Sequence, residues 1–243
     1  MQRIVFLLLV SFFCLGYGND AKAAEQTGIV TVTVEKFTIG QGFLVEPCNV
    51  PIYEGDTCAM VLDRVLKENQ YTYVYDGTLT SGYYLRSMNN ADSGSLRIPA
   101  AIRQMDTFQD GATVINPPTQ DAVNEDYPNL GEFAYNRMSG WMYSVNGEFP
   151  SVGLSGRNMS DGDLMRVQFT LYGYGADLGS DYKGTNVKPL ALADKSDLIK
   201  KVAEINEKKE EWLAVEGFEA IYENAIGVLE NLTVKQAKVD AAL

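Results

Sequence analysis

The chain has 243 residues, 46% of them apolar, and carries a formal charge of −12 without a single histidine. That length accommodates one to two domains with a packed core, and the missing imidazole excludes Ser-His-Asp and Cys-His catalysis together with every histidine zinc site. The excess of acid sets nucleic acid and anionic lipid aside as partners, because both are recognised through clustered Lys and Arg.

Residues 1–23 read as a signal peptide. Arg3 precedes an apolar run from Ile4 to Leu15, and Ala21-Lys22-Ala23 offers the small side chains that signal peptidase requires. As a helix the run would reach only about 18 Å, against roughly 30 Å of membrane hydrocarbon. Removing Arg3, Asp20 and Lys22 with the leader takes the formal charge from −12 to −13. The mature chain is thus expected outside the cell or at its surface, with no integral membrane segment. Cys14 as a lipid anchor is the less favoured alternative, since Phe12 and Phe13 are bulky where lipoprotein cleavage prefers small residues. Without Cys14, two thiols remain. An even number in an exported protein predicts a Cys48–Cys58 disulfide pinning the connection between a strand end and a helix start.

From Gly28 to Ile39 the alternation of Val30, Val32 and Val34 with Thr31, Thr33 and Glu35 predicts a strand, and Phe43 to Ile52 a partner for it. Asp56 or Thr57 caps a helix whose apolar residues recur at helical spacing to Leu66. Strands are expected over Tyr71 to Tyr75 and Tyr83 to Met88, parted by turns at Asp76-Gly77 and Ser81-Gly82. Residues 89–130 read as a long insertion with a short helix around Ala100 to Met105 and an irregular Asn116-Pro117-Pro118. Binding lid and plain surface excursion are equally compatible with it.

The most informative stretch is Gly140 to Gly147. Trp141, Tyr143 and Val145 alternate along a strand, and Asn146-Gly147 supplies the two positive-φ positions of a type I′ turn. Asp161-Gly162-Asp163 launches a last strand from Leu164 to Tyr172, which Gly173-Tyr174-Gly175 terminates. After Gly179 the composition changes. Residues 180–193 read as a linker, and 194–243 as helices marked by Leu198, Ile199, Val202 and Ile205, then by Phe218, Ile221, Tyr222, Ala225, Ile226 and Leu229. Thr233 and Gln236 form a capping box for a third.

Two resemblances follow from these residues. Pro51-Ile52-Tyr53-Glu54-Gly55-Asp56-Thr57 ahead of a helix, Gly140-Trp141-x-Tyr143-x-Val145-Asn146-Gly147, and Gly162-Asp163 before the final strand make residues 28–179 similar to the domain related to the C-terminal lobe of transcobalamin and intrinsic factor. The resemblance implies a β-grasp-like mixed sheet with one packed helix, inside an α+β fold, and a corrinoid as a candidate bound ligand. Trp212 to Leu243, with Tyr222-Glu223-Asn224-Ala225, is similar to the FIVAR-type helical spacers of bacterial surface proteins.

Catalysis finds little support. Asp121, Glu125, Asp126 and Glu132 are candidate carboxylates for glycoside hydrolysis, and Asp161 and Asp163 for calcium, but solvated acids and turn formation explain both sets. What the composition favours is binding through rings. The candidate ligand-binding residues are Trp141, Tyr143, Asn146, Tyr135, Tyr83 and Tyr172, with no cofactor required. Alternation puts Trp141 and Tyr143 on one face, so at least one is expected in the core. The reading is a noncatalytic surface module for a small ligand. The alternative is an adhesion or scaffold module that binds protein or glycan.

Overall fold

The computed structural model describes residues 25–92, 95–105, 125–181 and 188–242. The leader with Cys14, and the half of the insertion that holds Asp121 and Asn116-Pro117-Pro118, lie outside the described residues.

Chain order begins with β1 (Gln26–Glu35), a 3-10 turn at Phe37–Ile39, β2 (Phe43–Tyr53) and α1 (Cys58–Glu68). A hairpin of β3 (Tyr73–Thr78) and β4 (Ser81–Met88) follows, then α2 (Ala100–Arg103), β5 (Leu130–Gly131), β6 (Gly140–Val145) and β7 (Leu164–Thr170). The C-terminal part contains α3 (Ser196–Asn206), α4 (Lys209–Leu213), α5 (Phe218–Glu230) and α6 (Gln236–Val239). The fold is α+β. Among the described residues no helix is long and apolar enough to cross a membrane.

The main sheet has the order β2-β1-β7-β6. Its outer pairs are antiparallel, and its central pair, β1 with β7, is parallel and in register from Thr31 opposite Leu164 to Glu35 opposite Gln168. A first hairpin, a helix across one face and a last strand returned to the centre are the β-grasp arrangement. β2 is an edge strand, which is why it tolerates Pro47 and Pro51.

Alternation sorts the two faces of this sheet. Val30, Val32 and Val34 of β1 and Met165, Val167 and Phe169 of β7 belong to the same buried cluster as Val61, Leu62, Val65 and Leu66 of α1. Thr57 caps that helix, its hydroxyl accepting from Met60 N–H at 3.3 Å. Asp56 instead pairs with Arg64 at 2.6 Å. The smaller sheet, β3-β4-β5, adds Tyr83, Leu85, Met88 and Leu130 to the same core. Gly131 permits the closest step there, since a Cβ on it would stand 2.2 Å from the Arg86 carbonyl oxygen.

The other face of the main sheet is covered by the C-terminal helices. Leu164 of β7 clusters with Leu198, Ile199 and Val202 of α3 and with Tyr222, Ala225 and Leu229 of α5. Hydrogen bonds tie this layer to β2: Asn206 Nδ2 donates to the Pro47 carbonyl at 2.8 Å, and the Tyr222 hydroxyl and Lys209 Nζ reach the Glu46 carboxylate at 3.0 and 2.7 Å. The helical segment read as a spacer is therefore seated on the sheet, and residues 188–195 enter its packing.

Several local expectations need correction. β1 ends at Glu35, because Phe37–Ile39 turns as a 3-10 helix. Asp76-Gly77 and Ser81-Gly82 lie inside β3 and β4, absorbed by a register shift, and the hairpin turns at Leu79-Thr80. The Thr233–Gln236 capping box does not form. Gln236 instead bonds the Asp194 backbone, accepting from its N–H at 2.8 Å and donating to its carbonyl at 3.0 Å, and α6 starts after Lys235.

The Cys48–Cys58 disulfide is absent, and both cysteines are free. Cys48 is not at a strand end. β2 continues to Tyr53, carrying the chain roughly 17 Å onward at strand rise before it turns into α1. Cys48 Sγ faces the Val32 carbonyl at 3.6 Å, while Cys58 Sγ contacts Met159 Sδ at 3.1 Å.

Candidate functional site

Asn146 (φ 51°) and Gly147 (φ 81°) make the tight turn after β6, closed by paired backbone bonds between Val145 and Glu148 at 2.9 and 3.0 Å. The Asn146 side chain then bonds outward. Its Nδ2 donates to Asp163 Oδ1 at 2.7 Å and its Oδ1 accepts from Leu164 N–H at 2.9 Å. Asp163 Oδ2 accepts from Ser160 N–H and Asp161 Oδ1 from Ile29 N–H, at 2.9 and 2.8 Å. These carboxylates fasten the loop between β6 and β7 to the sheet. Among the described residues no cluster of three or more His, Cys, Asp or Glu is arranged to hold a metal ion.

The predicted ring residues point inward. Trp141 is half-buried, with its Nε1 donating to the Leu130 carbonyl at 3.0 Å and its ring edge-on to Phe169 at 5.3 Å. Tyr135 meets the same Phe169 at 6.0 Å and gives its hydroxyl hydrogen to Asp92. Tyr143 is buried, its hydroxyl donating to the Val152 carbonyl at 2.7 Å, and Tyr172 is buried with its hydroxyl directed to the Met105 carbonyl at 3.4 Å. Tyr83 stacks on Tyr75 at 4.8 Å, with its hydroxyl buried and without a hydrogen-bond partner. Five of the six proposed ligand-binding residues thus belong to or pack against the core, where Phe169 is the common contact of two. Only Asn146 borders open space.

That space is a cleft of about 480 Å³ between the Asn146-Gly147 turn and the segment 190–196. Phe149, Leu178, Leu190, Leu192 and Leu232 supply its apolar wall. Arg166, Asp194, Lys195 and Ser196 supply its polar end. Alternation on β7 places Arg166 on the face opposite Val167, under the helices, and parallel pairing brings Glu35 beside it. The Arg166 Nε and one Nη donate to the two Glu35 oxygens at 2.8 and 2.7 Å. Thr33 and Gln168 also donate to that carboxylate, at 2.6 and 3.2 Å, so a fully buried charge is both paired and saturated with donors.

Lys195 is buried as well. Its Nζ donates to the Leu229 and Asn231 carbonyls at 2.8 and 2.9 Å, near the C-terminal end of α5. Burial, then the neighbouring Arg166 charge, lowers this ammonium to about 8. Asp194 is held below the usual carboxylate range, chiefly by hydrogen bonds from Ser196. Every buried charge at this end already has a protein partner, so the cleft offers a fixed polar edge rather than a mobile base. The thiols are equally unreactive, since burial pushes Cys48 up to about 11 and Cys58 up to about 12.

Of the candidate carboxylates, the described Glu125, Asp126 and Glu132 do not line the cleft. Glu125 and Asp126 pair with Arg86 at 3.2 and 3.1 Å, and Glu132 accepts from the Tyr84 hydroxyl at 2.9 Å. The sequence reading missed Arg166, Lys195 and the wall from 190 to 193. The available signal was a lone arginine within an apolar strand, opposite a lone glutamate at the end of another. It becomes a pair only once β1 and β7 are known to run parallel.

No curated protein matches the chain. Over residues 128–171, less than a fifth of its length and spanning β5, β6, their turn and β7, the chain is similar to a domain of unknown function (DUF4430).

Proposed function

We propose that the chain is an exported, noncatalytic binding module that seats a small ligand in the cleft beside Asn146 and Gly147. The observation that carries this reading is the cleft itself, with an apolar wall of Phe149 and four leucines facing a preorganised polar end at Arg166. Its volume of about 480 Å³ takes a small organic molecule whole or the rim of a larger one. The absence of histidine and the two unreactive thiols support binding over bond breaking. A corrinoid, implied by the resemblance of residues 28–179, is the first ligand to try. Lacking imidazole, the protein would hold such a ligand by its periphery, through apolar contact and hydrogen bonds, rather than through the metal. Adhesion to protein or glycan is the second reading, favoured by the exposed rings of Tyr84, Tyr174 and Trp212.

Purified protein mixed with cobalamin and, separately, with cobinamide should co-elute with the pigment and shift its visible band. Ala191→Trp, at an exposed position of the cleft wall, should abolish both effects without altering the circular dichroism. Pigment that elutes alone removes the corrinoid. A fragment screen by NMR whose shifts avoid Phe149, Leu190 and Leu192 removes the cleft as a site.

A further inference from the structure

The short helix α4, the bend after it and the first turns of α5 present an apolar patch that no described residue covers. Trp212 is 44%, Val215 54% and Ile221 47% exposed. The residues of the patch are joined by contacts of their own. The Trp212 ring stacks on Phe218 at 5.1 Å and 28°, and Val215 N–H and Phe218 N–H bond back to the Trp212 and Val215 carbonyls at 3.0 and 3.1 Å. Ile221 follows Phe218 by three residues on α5 and so extends the same side. An exposed tryptophan buttressed by a second ring is the kind of anchor that dominates protein interfaces.

The surroundings specify the partner. Glu210, Glu211, Glu216 and Glu219 are all exposed around the patch. Between 207 and 223 the basic residues are Lys208 and Lys209, and Lys209 is held by Glu46 at 2.7 Å. An apolar centre with an acidic rim repels a second copy of itself and an anionic membrane alike, while it complements a segment whose apolar side is flanked by Lys and Arg. We infer that this face docks a cationic amphipathic segment of a partner protein, with Trp212 as the central contact.

The probe is an 18-residue Leu/Lys amphipathic helix, compared with the same peptide carrying Glu in place of Lys, by titration calorimetry and tryptophan fluorescence. The Lys peptide should bind the full chain with roughly micromolar Kd, and the Glu peptide should not bind. Trp212→Ala, and separately the double reversal Glu211→Lys with Glu216→Lys, should each weaken binding about tenfold. Two reversals on α3, Asp197→Lys with Glu204→Lys, should change it less than about twofold, since their charge lies elsewhere and is screened. The inference is overturned if neither peptide binds, if both bind alike, or if the α3 reversals cost as much as those at the patch. It is overturned too if sedimentation shows a dimer that Trp212→Ala abolishes, which would give the face to a second copy.

Discussion

The two faces of the main sheet are closed in different ways. Toward α1, β1 and β7 bury Val30, Val32, Val34, Met165, Val167 and Phe169 against aliphatic and aromatic neighbours. Toward α3, the same two strands bury Thr33, Glu35 and Gln168 beside a half-buried Arg166, with Ser144 of β6 joining Gln168 at 3.3 Å. An apolar face can be sealed by any well-packed helix. A face carrying a fixed ion pair needs each donor and acceptor matched, and beside that belt the cover leaves a cleft open. The rings concentrated in this chain therefore mark its sealed side, and the candidate site lies where polar residues prevent complete closure.

Three measurements press on that contrast. Phe169→Ala, at a fully buried position between Trp141 and Tyr135, should lower unfolding free energy by about 3–5 kcal/mol in denaturant titration. A loss under about 1 kcal/mol would show that the α1 face is not the tightly packed one. Glu35→Gln leaves the Arg166 charge without its partner and should cost about 2–3 kcal/mol, discounted because the arginine retains some solvent contact. Pairing it with Arg166→Met should recover much of the loss. No recovery would mean that the belt acts as separate hydrogen bonds rather than as a charge pair.

The third measurement concerns Asp177, just after β7. Its carboxylate is buried, accepting from the Thr170 hydroxyl and from Leu171 N–H at 2.8 Å, and burial raises it to about 6. The unfolded chain titrates this acid near pH 3.9. Between the two values the native state binds the extra proton, so the Asp177 contribution to stability falls as pH rises from about 4 to about 6 and levels off above. At about 1.4 kcal/mol per pH unit, the difference of about two units gives a change on the order of 3 kcal/mol. Asp177→Asn should remove that slope from a plot of stability against pH. An unchanged slope assigns it to another group.

How much of this was legible depends on how local each signal is. Val30-Thr31-Val32-Thr33-Val34 announces a two-faced strand, and Asn146-Gly147 announces its turn, because each depends on neighbours within a few residues. The helices α3 and α5 were legible for the same reason, from their apolar spacing. Their seat on the sheet was not, since Asn206 to Pro47 and Lys195 to Leu229 are contacts between distant positions. The thiol pair misled through counting alone, as parity does not report where β2 ends. Tyr83, Tyr135 and Tyr172 misled because a tyrosine rich in area suits a core and a binding surface equally.

One consequence of the parallel central pair concerns time rather than space. Thr31 and Leu164 meet across more than 130 intervening residues, whereas β1 and β2 are joined by a short bend and can associate early. Loop closure over such a span makes the middle of the sheet the late event of folding. A ribosome must deliver most of the polypeptide before the grasp can shut, and until then β1 waits with one edge vacant.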